Sequence, residues 1–133
     1  MSVEIVTARS FFTRSNMVAL VLAIILLFIF LLSSPKAQAL FSAYAILLII
    51  FILIGQLRVN RAVDLKQLGE RAVQTLWLST SLGLVAVTMP PAPYFELSQP
   101  VMAASIIIGA MLVISGAYGL LTIRKLTGVY LSV

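Results

Sequence analysis

A chain of 133 residues that is 62% hydrophobic and only 10% charged, with a mean hydropathy of +1.15, lies outside the range of water-soluble domains, which run at roughly 45–50% apolar and about 25% charged. It contains neither cysteine nor histidine, which excludes disulfides, Fe–S clusters, thiolate or imidazole metal sites, and any side chain that ordinarily titrates near neutrality. A formal charge of +5 would point to nucleic acid in a soluble protein, but here the nine basic residues sit in short segments between apolar runs, where their use is to orient membrane spans.

The length fits one membrane domain, residues 1–133. The first segment, "SVEIVTARSFF", mixes Val3, Ile5, Val6, Phe11 and Phe12 with Glu4 and Arg9 and reads as a short helix lying in the membrane interface. The run that follows, Ser15–Leu32, carries no charge after Arg14. A spanning helix needs about 20 mostly apolar residues, and this run qualifies. Ala37-Gln38-Ala39 has the small-x-small form of a signal-peptidase site, yet Met17–Leu32 exceeds the about 7–15 residues of a signal peptide's apolar region. The expectation is a retained span, stopped by Ser33, Ser34 and Pro35.

A second uncharged span covers about 39–57. Residues 58–71, "RVNRAVDLKQLGER", form a basic connection with Arg58, Arg61, Lys66 and Arg71, where Asp64 followed by Gln67 resembles a capping box for the next helix. The third span, about 72–89, is the most polar. The connection "PPAPYFELSQP" over 90–100 holds four of the five prolines and is expected to be stiff and extended. Its Tyr94 and Phe95 read as interfacial anchors or loop contacts with a partner. The fourth span, about 101–123, is rich in small residues.

The fold class expected is therefore an all-α integral membrane protein with four transmembrane helices in a small bundle. Eight of the nine basic residues precede the first span, lie between the second and third, or follow the fourth; Lys36 is the exception. By the positive-inside rule both termini face the cytoplasm, or the stroma or matrix of an organelle. The expected location is the plasma membrane or an energy-converting internal membrane.

Small residues are arranged, not scattered. Ser105, Gly109, Gly116 and Gly119 fall within roughly 80° of a helical wheel, with Leu112 among them. The third span has a matching stripe of Ala72, Ser79, Gly83 and Ala86, flanked by Thr75. Such faces let backbones approach closely, so these two helices are expected to pack on each other, or one of them to grip a partner. The first span, nearly continuous Val, Leu, Ile and Phe, is expected to face lipid or a bulky apolar cofactor. On that reading Gly109→Leu or Gly116→Leu disrupts incorporation into a complex, while Leu26→Ala is tolerated.

No residue set carries catalysis: the only acids, Glu4, Asp64, Glu70 and Glu96, lie outside the apolar runs, and no acid pair is placed for proton transfer. The spans also lack the ionisable residue that ion-coupled carriers use. The expected function is a non-catalytic accessory subunit or assembly factor of a larger membrane complex, such as a respiratory or photosynthetic one; the alternative is a small homo-oligomeric pore or transporter. Expected partners are other integral membrane subunits and membrane lipids, with no nucleic acid. No cofactor is intrinsic to the chain, and a lipid, quinone or pigment would be held together with partners.

Overall fold

A computed structural model describes residues 3–32, 35–88 and 98–128. They form four helices: α1, Val3–Leu31; α2, Pro35–Asn60; α3, Leu65–Thr88; and α4, Gln99–Thr127. At 1.5 Å per residue these are about 36 to 44 Å long. Three of them, α1, α2 and α4, are long and apolar enough to cross a membrane. The fourth, α3, has the length but is less apolar, in keeping with its place as the most polar run of the sequence.

Local chemistry sets the boundaries. Pro35 opens α2, where its missing N–H and fixed φ suit a first helical turn. Between α2 and α3 the expected cap forms: the Gln67 backbone N–H donates to Asp64 Oδ1 at 2.7 Å, and Gln67 Oε1 in turn accepts from the Val63 N–H at 2.9 Å. Gly128 closes α4 in a left-handed conformation with φ 71°, its N–H donating to the Arg124 carbonyl at 2.8 Å. The loop with Tyr94 and Phe95 lies outside the described residues.

Short connections make the helices alternate in direction. α1 packs on α2, α2 on α3, α3 on α4, and α4 returns to α1; α3 against α4 is the most extensive pair. Two apolar clusters fill the interior. One, toward the end where α1 meets α2 in sequence, gathers Leu22, Leu26, Phe30, Phe41, Leu48, Ile52, Ala86 and Leu112. The other, toward the basic end, gathers Ile5, Ala8, Phe12, Val59, Leu68, Leu76, Leu120 and Ile123. The outer surface is apolar as well: Phe28, Ile114, Ile107, Leu121 and Leu57 are all more than half exposed.

Two expectations about α1 are corrected. Residues 3–12 are not a separate interfacial helix. They run without a break into the apolar segment, since no glycine or proline interrupts Val3–Leu31. Nor does α1 simply present itself outward. Leu26 is 0% exposed, in the same cluster as Ala23 and Phe30, while Phe28 on the opposite face is 62% exposed. With large apolar groups on every side, the run had no polar stripe to mark which face turns inward.

Candidate functional site

The two apolar clusters are separated by a level at which every neighbouring helix pair sets a hydroxyl or amide against a glycine or another amide. In α1 this level falls between Phe12 and Ala19, in α2 between Ile52 and Val59, in α3 between Val73 and Ala86, and in α4 between Leu112 and Leu120. Gly119 of α4 faces Ser15 of α1, Gly116 faces Thr80 of α3, and Gly55 of α2 faces Thr75 of α3. The fourth pair, α1 with α2, meets through Asn16 and Gln56. This polar waist is the most distinctive part of the interior.

Its hydroxyls are mostly occupied locally. Thr75 Oγ1 donates to the Arg71 carbonyl at 2.9 Å and Thr80 Oγ1 to the Leu76 carbonyl at 2.8 Å. That back-bonding satisfies a buried hydroxyl at little cost and lets the rest of the side chain fill the space over a facing glycine. Any side chain at Gly116 would collide with Thr80, as one at Gly55 would with Thr75.

One and two turns along, the stripes of α3 and α4 meet each other. A Cβ at Gly109 would lie 2.9 Å from Ala86 Cβ and 3.0 Å from the Gly83 carbonyl oxygen; one at Gly83 would lie 3.0 Å from Leu112 Cβ. Ser105 Oγ donates to the Ala86 carbonyl at 2.9 Å, tying the helices at one end of the seam. Ser79 is buried with them. The structure thus brings Gly83, Ala86, Ser105, Gly109 and Leu112 together, with Gly116 and Gly119 continuing the line onto Thr80, Leu76 and Ser15. All of this is packing within one chain.

Nothing in the sequence pairs Asn16 with Gln56, which stand 40 positions apart. In the fold Asn16 is 2% exposed. Its Nδ2 donates to the Ile52 carbonyl and to Gln56 Oε1, both at 3.1 Å. Gln56 Nε2 then donates to Thr13 Oγ1 and to Asn60 Oδ1, both at 3.0 Å. Because the Ile52 carbonyl can only accept, the Asn16 amide must turn its nitrogen toward it, and that orientation fixes the direction of the whole ladder. Asn16 Oδ1 is left buried with no hydrogen-bond partner. The available signal was the i, i+3 spacing of Thr13 and Asn16 and the i, i+4 spacing of Gln56 and Asn60 at the edges of apolar runs.

The basic residues gather beyond this ladder. Arg9 Nη2 donates to the Ala62 carbonyl at 2.8 Å, joining α1 to the turn after α2. Arg71 Nη1 donates to the Arg58 carbonyl, also at 2.8 Å. Arg58, Arg61 and Lys66 are exposed. Two of the expected loop arginines therefore differ in role: Arg71 bridges α3 back to α2, whereas Arg61 extends to the surroundings. Among the described residues no three acidic side chains come together as a metal site. The waist itself holds amides and hydroxyls, groups that orient and pack but do not exchange protons near neutral pH. Compared with protein-family models, curated proteins and solved structures, the chain has no match.

Proposed function

We propose that the chain is an integral membrane subunit whose four helices all cross the bilayer, with the basic end on the cytoplasmic, stromal or matrix side, and that it serves as a non-catalytic accessory or assembly subunit of a larger membrane complex. The observation that carries this reading is the distribution of side chains. Small and polar residues such as Gly109, Ser105, Thr80 and Asn16 lie inside, while Phe28, Ile114 and Leu121 face outward. Water would penalise that outer surface. In lipid it costs nothing, and close small-residue contacts with interhelical hydrogen bonds hold the bundle instead.

α3 joins the other helices as a span because three of its central hydroxyls turn inward: Thr75, Ser79 and Thr80 are buried, whereas Trp77, Leu78 and Leu84 are exposed, and the exposed Gln74 and Thr88 lie toward the two ends of the apolar run. A helix of modest mean hydropathy can lie in a bilayer when its polar face meets other helices. Charge placement sets the orientation, since Arg9, Arg14, Arg58, Arg61, Lys66, Arg71, Arg124 and Lys125 all lie at one end of an alternating bundle. The accessory role follows from an interior of amides, hydroxyls and packed apolar groups, together with broad apolar outer faces on α1, α2 and α4 that suit other helices.

The test is to solubilise the native membrane in mild detergent, resolve complexes by size on a non-denaturing gel, and identify what migrates with the chain. Co-migration with other integral membrane subunits is expected. Migration as a homo-oligomer alone, coupled with solute flux in reconstituted vesicles, would replace this reading with that of a pore.

A further inference from the structure

Beside the amide ladder, the outer side of α1 carries a groove of about 410 Å³ lined by Val6, Arg9, Ser10, Thr13, Arg14 and Asn60. A second of about 440 Å³ shares Val6, Ser10 and Arg14 with it. Both are open grooves on the helix surface rather than enclosed cavities. One turn further along the same helix, toward its apolar half, is a wholly apolar groove of about 290 Å³ formed by Met17, Val18, Val21 and Leu22. At 100° per residue, Met17 and Val21 lie on the same side of α1 as Ser10, Thr13 and Arg14.

The ladder decides the polarity of the first groove. Gln56 donates both of its amide hydrogens, one to Thr13 Oγ1 and one to Asn60 Oδ1, so each of these two oxygens already accepts a hydrogen bond. The Thr13 hydroxyl proton and the Asn60 Nδ2 hydrogens remain to donate, beside guanidinium groups that can only donate. No carboxylate is among the lining residues. A lining of donors with positive charge fits an anion, and the adjoining apolar groove fits a hydrocarbon chain.

We propose that this face of α1 is a binding site for an anionic phospholipid, its phosphate held by Arg14, Ser10 and Thr13 and one acyl chain lying along Met17, Val18 and Val21. The site rests on the membrane reading above. Asn16 stands behind the site: its bond to the Ile52 carbonyl fixes its own amide, and its bond to Gln56 Oε1 turns the Gln56 nitrogen toward Thr13 and Asn60.

The experiment reconstitutes the full chain in vesicles of equal phosphatidylglycerol and phosphatidylcholine, tests flotation on a density gradient, and counts the lipids retained on the released protein by native mass spectrometry. Phosphatidylglycerol should be retained in preference. Arg14→Gln should lower that retention roughly fivefold, the equivalent of about 1 kcal/mol for one basic residue at a headgroup. Val21→Trp, which fills the apolar groove from an exposed position, should lower it as well. Lys125→Gln, an equal charge change on α4, should leave it within about twofold. A chain that floats but shows no preference, or that loses it equally with Lys125→Gln, overturns the site alone. Displacement of the lipid by equimolar glycerol 3-phosphate overturns the two-part geometry. A chain that does not float overturns the membrane reading and the site together.

Discussion

Between α3 and α4 the backbones meet over Gly83 and Gly109 with a single serine hydrogen bond at one end, whereas α1 and α2 are held apart by bulk and joined by amides. At one end of that second seam Phe30 stacks on Phe41, ring centroids 4.9 Å apart, and lies edge-on to Tyr44. Toward the other end Asn16 and Gln56 link the helices. One small bundle thus uses two solutions to a problem that the proposed membrane setting would pose: in lipid, helices gain their association from close packing or from hydrogen bonds, because burial of apolar surface drives little. The glycine seam cannot expand without separating two backbones. The amide seam depends on its donors, since Asn16 Nδ2 and Gln56 Nε2 carry its polar links between helices.

The comparison breaks most severely at the glycine seam. Gly109→Leu must push α3 from α4 against Ala86, Val87 and the Gly83 carbonyl, and overpacking of this kind costs about 3 kcal/mol or more. The expected result is loss of the monodisperse species on size exclusion in detergent. The defect then belongs to the chain's own fold, before any partner is met. Leu26→Ala comes next. With its side chain enclosed by the cluster of Ala23, Phe30 and Ala45, truncation should lower stability by about 2 kcal/mol, read as a lower midpoint in a thermal melt in detergent; the tolerance expected from sequence is replaced by this loss.

Smaller effects sharpen the second half of the contrast. Asn16→Leu removes two bonds to α2 and should cost about 1–2 kcal/mol, near the upper end of measured interhelical hydrogen bonds in bilayers. A double-mutant cycle with Gln56→Leu should show non-additivity. Ser105→Ala loses one bond to Ala86 and should cost only about 0.6 kcal/mol. Phe28→Ala, on the outer face of α1, should fall within about 0.5 kcal/mol of the parent.

How much of this the sequence disclosed differs between the two seams for physical reasons. Small residues recurring at helical spacing declare a face by themselves, so Ser105, Gly109, Gly116 and Gly119 could be aligned with Ser79, Gly83 and Ala86 before any coordinates. The capping pair Asp64 and Gln67 was equally plain, because a cap is local. The inward face of α1 was not, since Leu26 and Phe28 are chemically alike and only tertiary packing separates them. The amide ladder joins residues 36 to 43 positions apart, and one asparagine in an apolar run does not say which helix will answer it.

The central claim, that α3 crosses the bilayer with the rest and leaves the basic end inside, is tested most directly by cysteine labelling. The chain has no native cysteine, so Val63→Cys in the exposed turn before α3 and Ser98→Cys at the start of α4 can each be probed alone with a membrane-impermeant maleimide on sealed, right-side-out vesicles. Ser98→Cys should label at once and Val63→Cys only after permeabilisation. Labelling of both from the same side would contradict it, because α3 would then not span.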